Sequence, residues 1–214
     1  MKEKGKRYAM FIDTSICFDC KSCMIACKVE NNVSEGFWRN WVKHNAVDCE
    51  CRTQFQPGQC MQCDDPSCVS ACPVGATYKG KNGLVEIDAD TCIGCGNCVT
   101  SCPYNARYRN PTLKIADKCD FCAHLVERGE DPACVQTCPT KVRVFGDLND
   151  PASQISQILK NNDNVQVVNP LINTRPNIYY SKNTQLLLWP EEPTLPGGVH
   201  MSPDFWKAVK EGTR

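Results

Sequence analysis

The chain has 214 residues, with 24 Lys plus Arg against 24 Asp plus Glu, and this balance excludes the basic footprint of a nucleic-acid binder. Apolar residues make up 42%, but that figure includes 18 cysteines, so the aliphatic core is thin and invites ligand bonds to tie distant segments together. No apolar run approaches the roughly 18 residues of a membrane-spanning helix, and the start, MKEKGKRYAM, has no apolar stretch of a secretory signal, so the expectation is a chain without a span or export signal of its own.

Residues 8–13, YAMFID, alternate loosely and predict a short strand. A first cysteine group follows, Cys17, Cys20, Cys23 and Cys27, with gaps of two, two and three residues. Lys28 stands where such groups usually carry proline, so a helix is expected to run on to about Asn32. Residues 33–58, with Gly36, Pro57 and Gly58, read as a long connection. Its aromatics, Phe37, Trp38 and Trp41, are either lids over a buried site or anchors for a partner. Cys49 and Cys51 stand outside every group and read as ordinary thiols.

The second group is Cys60, Cys63, Cys68 and Cys72 with Pro73, and Asp65 or Ser67 is positioned to cap the turn that carries its last two cysteines. Residues 76–88 predict a hairpin turning around Gly80–Gly83. The third group, CIGCGNCVTSCP, holds Cys92, Cys95, Cys98 and Cys102 with Pro103, and a second hairpin is expected around Asn110-Pro111. Motif, hairpin, motif, hairpin is an internal repeat. The fourth group is Cys119, Cys122, Cys134 and Cys138 with Pro139, its long middle gap reading as a short helix ended by Gly129. Residues 142–147, VRVFGD, predict a strand able to pair with YAMFID. From about residue 151 to 214 the chain is rich in Pro, Asn and polar residues and carries Trp189, Phe205 and Trp206. It reads as an extended tail that wraps a partner.

The spacing of the third group is the C-x2-C-x2-C-x3-C-P run of bacterial two-cluster ferredoxins. Three thiolates on a tight loop reach three irons of one [4Fe–4S] cubane. The fourth, on the helical turn that follows, points to a different cluster. Sixteen such thiolates and four oxidised cores would add roughly eight negative charges. Disulfides fit poorly, because cysteines two or three residues apart cannot pair sensibly. Structural zinc fits less well than iron, since zinc ribbons space two C-x2-C knuckles widely. His44, His124 and His200 are the only histidines, and only His124 lies near a group. No nucleophile–base pair, phosphate-cradling loop or paired acids are visible, so the chain offers redox centres and no substrate site.

Four groups, the second with a four-residue and the fourth with an eleven-residue gap, resemble the iron–sulfur subunits of the dimethyl sulfoxide reductase superfamily. The stretches AMFIDTSICFDCKSCMIACKVENNVSEGFWRNW, CDFCAHLVERGEDPACVQTCP and VFGDLNDP are most similar to the subunits of arsenate, polysulfide and thiosulfate reductases. The resemblance implies an α+β fold of two pseudo-symmetric ferredoxin-like modules, 1–59 plus 112–150 and an inserted 60–111, followed by the 151–214 tail. It implies four [4Fe–4S] clusters with crossed ligands: Cys60, Cys63 and Cys68 with Cys102; Cys92, Cys95 and Cys98 with Cys72; Cys17, Cys20 and Cys23 with Cys138; Cys119, Cys122 and Cys134 with Cys27. Electrons would pass one at a time between a molybdenum or tungsten bis-pterin catalytic subunit and a quinone-reactive membrane subunit or soluble carrier. Relatives of this type are commonly exported folded with a signal-bearing partner, which implies the periplasmic side, with the cytoplasm as the alternative. Lys28, Arg107, Arg109 and Lys118 lie close in sequence to ligands and either raise cluster potentials or are solvated surface charges. Competing readings are an electron-transfer subunit of a hydrogenase or formate dehydrogenase complex, a free-standing polyferredoxin, and a zinc-binding interaction module.

Overall fold

The computed structural model describes residues 5–46, 53–161, 163, 165–168 and 171–182. Its backbone is organised on β1 (Tyr8–Ile12). This strand lies inside a four-stranded sheet between β8 (Arg143–Asp147) and β10 (Ile178–Ser181), with β9 (Val165–Gln166) at the edge. β1 pairs antiparallel with β8 from Tyr8 opposite Asp147 to Ile12 opposite Arg143, the pairing expected of YAMFID and VRVFGD. It pairs in parallel with β10, Met10 opposite Ile178.

Alternation explains why β1 is buried on both faces. Met10 and Ile12 point into the main core with Val142, Ile178 and Tyr180. Ala9 and Phe11 point the other way, against Ile155 of the helix α6 (Gln154–Asn161). That helix approaches so closely that a Cβ at Gly146 would lie 2.6 Å from Ser153 Oγ.

The cysteine groups sit on short helices around this sheet: α1 (Ser22–Glu30), α2 (Ser67–Ser70), α3 (Asn97–Thr100), α4 (Ala123–Val126) and α5 (Ala133–Gln136). α1 packs on α5, and α2 on α3. Helix α1 stops at Glu30, where the Asn31 amide donates to the Cys27 carbonyl and the Asn32 amide to that of Val29. After α4 the Gly129 N–H donates to the Val126 carbonyl and the Glu130 N–H to that of Leu125, the bond pair of a Schellman cap. The two expected hairpins are present as β4 (Thr77–Lys79) with β5 (Val85–Ile87), and β6 (Arg107–Arg109) with β7 (Ala116–Lys118).

Three expectations need correction. Residues 33–58 are not one long connection, because β2 (Asn40–Ala46) and β3 (Thr53–Gln59) form an antiparallel ribbon. Pro57 and Gly58 looked like breakers. In the ribbon Pro57 faces Val42 with no third strand beside it, and Gly58 leaves room for Trp41, whose Nε1 would lie 2.3 Å from a Cβ there. The aromatics of this stretch pack within the chain: Phe37 stacks on Tyr108 at 5.0 Å, and Lys28 Nζ lies 4.8 Å above the Trp38 ring.

Second, neither Asp65 nor Ser67 caps α2. Asp65 pairs with Arg175, and Ser67 donates to the Ser101 carbonyl. Third, the expected extended tail is ordered against its own chain as far as residue 182. α6 covers the sheet and β10 joins it. The Asn177 amide donates to the Met61 carbonyl at 2.9 Å, and the Tyr180 hydroxyl donates to the Pro57 carbonyl at 2.9 Å. Residues 183–214, with Trp189, Phe205 and Trp206, lie outside the described residues, as do Cys49, Cys51 and His200.

Candidate metal centres

The loop before α1 turns through left-handed residues at Asp19 and Lys21, which folds Cys17 and Cys20 back toward the helix. Cys23 and Cys27 stand one turn apart on the buried side of α1. Cys17, Cys20 and Cys23 line one cavity together with Cys138 from the far end of the fourth group. Val42, Pro57, Val142 and Arg143 are also part of its wall. A second cavity is lined by Cys92, Cys95 and Cys98, again with the last cysteine of another group, Cys72.

The other eight cysteines converge in the interior. Burial, then the nearby Cys60, Cys102 and Cys68, push the Cys63 thiol up to about 12 against a lowering hydrogen bond with Thr174. Burial, with Cys60 and Cys68 beside it, likewise lifts Cys102 to about 11 against the amides of Ala106 and Tyr104. Cys27 is raised strongly by burial, then by Cys134 and Cys122. Cys119 is raised by burial, then by Cys27, with Asp120, Cys134 and Cys60 adding to it. Cys17, Cys20, Cys23 and Cys138 thus share one cavity and Cys72, Cys92, Cys95 and Cys98 another, while Cys27, Cys122 and Cys134 act on one another beside Cys119, and Cys63 lies among Cys60, Cys68 and Cys102. Below these are called, in the same order, the Cys17, Cys92, Cys27 and Cys60 sets.

Their surroundings suit thiolate-bound clusters. The Thr77 amide donates to Cys72 Sγ at 3.4 Å, the Phe121 amide to Cys119 Sγ at 3.5 Å, and Asn31 Nδ2 to Cys122 Sγ at 3.4 Å. Burial works to raise Cys72, yet the amides of Thr77, Val74, Ala76 and Gly75 together bring it below its ordinary value. Arg107 is 5% exposed, and its Nε and Nη2 have no oxygen or nitrogen partner among the described residues. Buried N–H groups left over beside thiols would be satisfied by cluster sulfur. Among those residues no three His, Cys, Asp or Glu side chains converge closely enough to hold a single metal ion. Zinc needs four thiolates drawn to roughly 2.3 Å from one point. The Cys17 and Cys92 sets line cavities instead, which fits a polynuclear cluster better.

The sets differ in access. Cys20 and Cys95 are exposed, whereas all four members of the Cys27 set are buried, as are Cys60, Cys63 and Cys68. Of the basic residues singled out in the sequence, Lys118 is 2% exposed, so it is no solvated surface charge. Its Nζ donates to the carbonyls of Val85 and Cys119. Lys28 Nζ instead donates to the Ser34 and Phe37 carbonyls. His124 is turned outward to Glu30, 2.8 Å away, and His44 lies 2.6 Å from Asp19. Sequence reasoning missed Arg143, which is 2% exposed with its Nη2 3.8 Å from Cys23 Sγ. A signal was present: Cys-Pro-x3-Arg occurs at both Cys102–Arg107 and Cys138–Arg143.

A family model described as a 4Fe-4S dicluster domain matches residues 51–148, and one described as a 4Fe-4S binding domain matches residues 14–30. The chain is 47% identical over 178 residues to the B subunit of tetrathionate reductase from Archaeoglobus fulgidus, covering 83% of each protein. It is 40% identical to the B subunit of tetrathionate reductase from Salmonella typhimurium, over 81% of this chain and 72% of that one. It is 37% identical to the B subunit of polysulfide reductase from Wolinella succinogenes, over 84% and 96% respectively.

Proposed function

We propose, because the protein belongs to the family of iron–sulfur B subunits of the molybdopterin-dependent respiratory reductases, that it is an electron-transfer subunit holding four [4Fe–4S] clusters. The observation that carries this reading is that two cavities are each lined by three cysteines of one group and the last cysteine of another, Cys138 with Cys17, Cys20 and Cys23, and Cys72 with Cys92, Cys95 and Cys98. When bound, each cluster supplies a one-electron couple. The chain's own residues hold the clusters, exclude water from the inner two and set the spacing between them.

The Cys17 and Cys27 sets form one ferredoxin-like module in this reading, drawn from residues 1–59 and 112–150. The Cys60 and Cys92 sets form its pseudo-symmetric counterpart in 60–111. The packing of α1 on α5 and of α2 on α3 supports that division, although β10 lends the first module a strand from beyond residue 150. The order is Cys92, Cys60, Cys27, Cys17. Cys60 acts on Cys119, which joins the two inner sets, and the exposed Cys20 and Cys95 leave the outer sets open to partners. One end would meet a catalytic subunit carrying molybdenum or tungsten bis-pterin. The other would meet a quinone-reactive membrane subunit or a soluble carrier. Among the described residues no helix is long and apolar enough to cross a membrane. This chain supplies no catalytic site, and its expected place is the periplasmic side, reached with a signal-bearing partner.

The test is elemental analysis of the native complex purified without oxygen. About sixteen irons per copy of this chain, four for each of four cubanes, with molybdenum or tungsten is the expected result. Iron with nickel would move the partner to a hydrogenase, and zinc without iron would overturn the reading.

A further inference from the structure

Two buried arginines occupy equivalent places in the two halves of the molecule. After Cys102 the chain runs through Pro103 and the left-handed Asn105 to Arg107, the first residue of β6. After Cys138 it runs through Pro139 and the left-handed Lys141 to Arg143, the first residue of β8. In both turns the amide of the left-handed residue donates to the cysteine carbonyl at 3.3 Å. The same local geometry therefore turns each arginine inward, five residues after a cysteine.

Each lies between two cysteine sets. Arg143 Nη2 is 3.8 Å from Cys23 Sγ in the Cys17 set, and its charge also acts on Cys134 in the Cys27 set. Its Nη1 is held by Gln59 Oε1. Arg107 acts on Cys68, Cys60 and Cys102 in the Cys60 set and on Cys98 in the Cys92 set, with its Nη1 donating to Thr77 Oγ1 at 3.2 Å. Neither pairs with a carboxylate among the described residues, and Arg107 Nε and Nη2 are buried with no oxygen or nitrogen partner among them, the guanidinium lying beside the Cys68 thiol. A guanidinium is costly to bury without an anion beside it. It also keeps its charge at any working pH. The anions available here are the thiolates and sulfides of loaded clusters.

We propose that Arg107 and Arg143 are paired tuning residues, each raising the reduction potentials of the two clusters it separates and easing the passage of an electron between them. The inference rests on the four-cluster reading above. A fixed positive charge favours the state with one more electron. Placed between two clusters, it also offsets their repulsion when both are reduced. The electron leaves one cluster and arrives on the next, and the arginine neither takes nor gives a proton. Lys118 also acts on Cys68, but two carbonyls hold its ammonium.

The experiment uses the intact complex with Arg143→Met, Arg107→Met and Arg143→Lys, each assayed for iron and titrated electrochemically with cluster spectra as the readout. The expected result is parental iron in all three, with two of the four midpoints lowered in Arg143→Met and the other two lowered in Arg107→Met. Arg143→Lys returns its pair most of the way. Parental midpoints in both Met variants would overturn the proposal. Should both Met variants lose iron, Arg143→Gln and Arg107→Gln, which keep hydrogen-bonding groups without the charge, carry the test, and parental midpoints in them would likewise overturn the proposal. A parental complex with no such cluster signals would instead sink the four-cluster reading itself.

Discussion

Gly94 lies between Cys92 and Cys95, and replacing it with alanine tests how the Cys92 loop is held. Its φ is +66°, and a Cβ there would sit 2.0 Å from the Lys114 carbonyl oxygen in the β6–β7 turn. An ordinary C···O contact is about 3.3 Å or more, so the loop and the turn must part by more than 1 Å. That carbonyl also accepts from Arg109 Nε at 3.3 Å, which resists the movement. The left-handed backbone costs alanine about 1–2 kcal/mol, and forcing the contact adds about 1–3 kcal/mol. Gly96 in the same loop is an internal control, because its φ is +83° but a Cβ there meets nothing within 4 Å. Gly96→Ala should therefore lose only the backbone part. At about 2–4 °C per kcal/mol for a chain of this size, scanning calorimetry of the loaded protein separates the two. Iron held by the Cys92 set should be the first lost from Gly94→Ala. Equal losses in the two variants, or a larger loss in Gly96→Ala, would refute the steric argument.

Crossed ligation makes Cys72→Ala remove the same cluster signal as Cys95→Ala, while Cys68→Ala, from the same group as Cys72, removes a different one. Matching spectra for Cys72→Ala and Cys68→Ala would disprove the crossing. Arg39 bridges Asp117 at 2.8 Å and Asp120 at 3.3 Å, all three mostly buried, so Arg39→Met strands two carboxylates and should cost about 3–5 kcal/mol. Replacing Asp117 by Asn in the same background should recover part of that loss in thermal unfolding. In the metal-free chain the buried thiols stay protonated where the unfolded chain ionises: Cys63 at about 12, Cys102 and Cys134 at about 11, against the ordinary 9.0. The fold then binds more protons than the unfolded state. Its stability should fall as pH rises from about 9 toward 11–12, by up to about 1.4 kcal/mol per thiol and pH unit. Denaturation of the metal-free chain at pH 8 and pH 10.5 checks this, and equal stabilities would contradict the raised thiols.

The features legible in the sequence were those whose cause is local. Alternation in YAMFID and the turn residues at Gly80–Gly83 and Asn110-Pro111 predicted a strand and two hairpins that are present. The β2–β3 ribbon was not legible, because Pro57 and Gly58 carry the same local signal in a loop as in an edge strand beside an indole ring. Strand β10 was hidden for another reason. Its parallel partner β1 lies about 170 residues earlier, and no local pattern reports a pairing at that separation.

The sequence by itself determined the chemistry of the sites. Ligand type is fixed by the side chain, and gaps of two and three residues decide which thiols share a loop, because the backbone spans only about 3.3–3.6 Å per residue. Only the tertiary structure brought Cys138 to the cavity of Cys17, Cys20 and Cys23 and Cys72 to that of Cys92, Cys95 and Cys98, left Cys20 and Cys95 exposed, and placed Arg107, Lys118 and Arg143 inside. Burial and long-range convergence follow from how helices and strands pack across the whole chain, and a charged side chain near a ligand reads the same in sequence whether water or sulfur surrounds it.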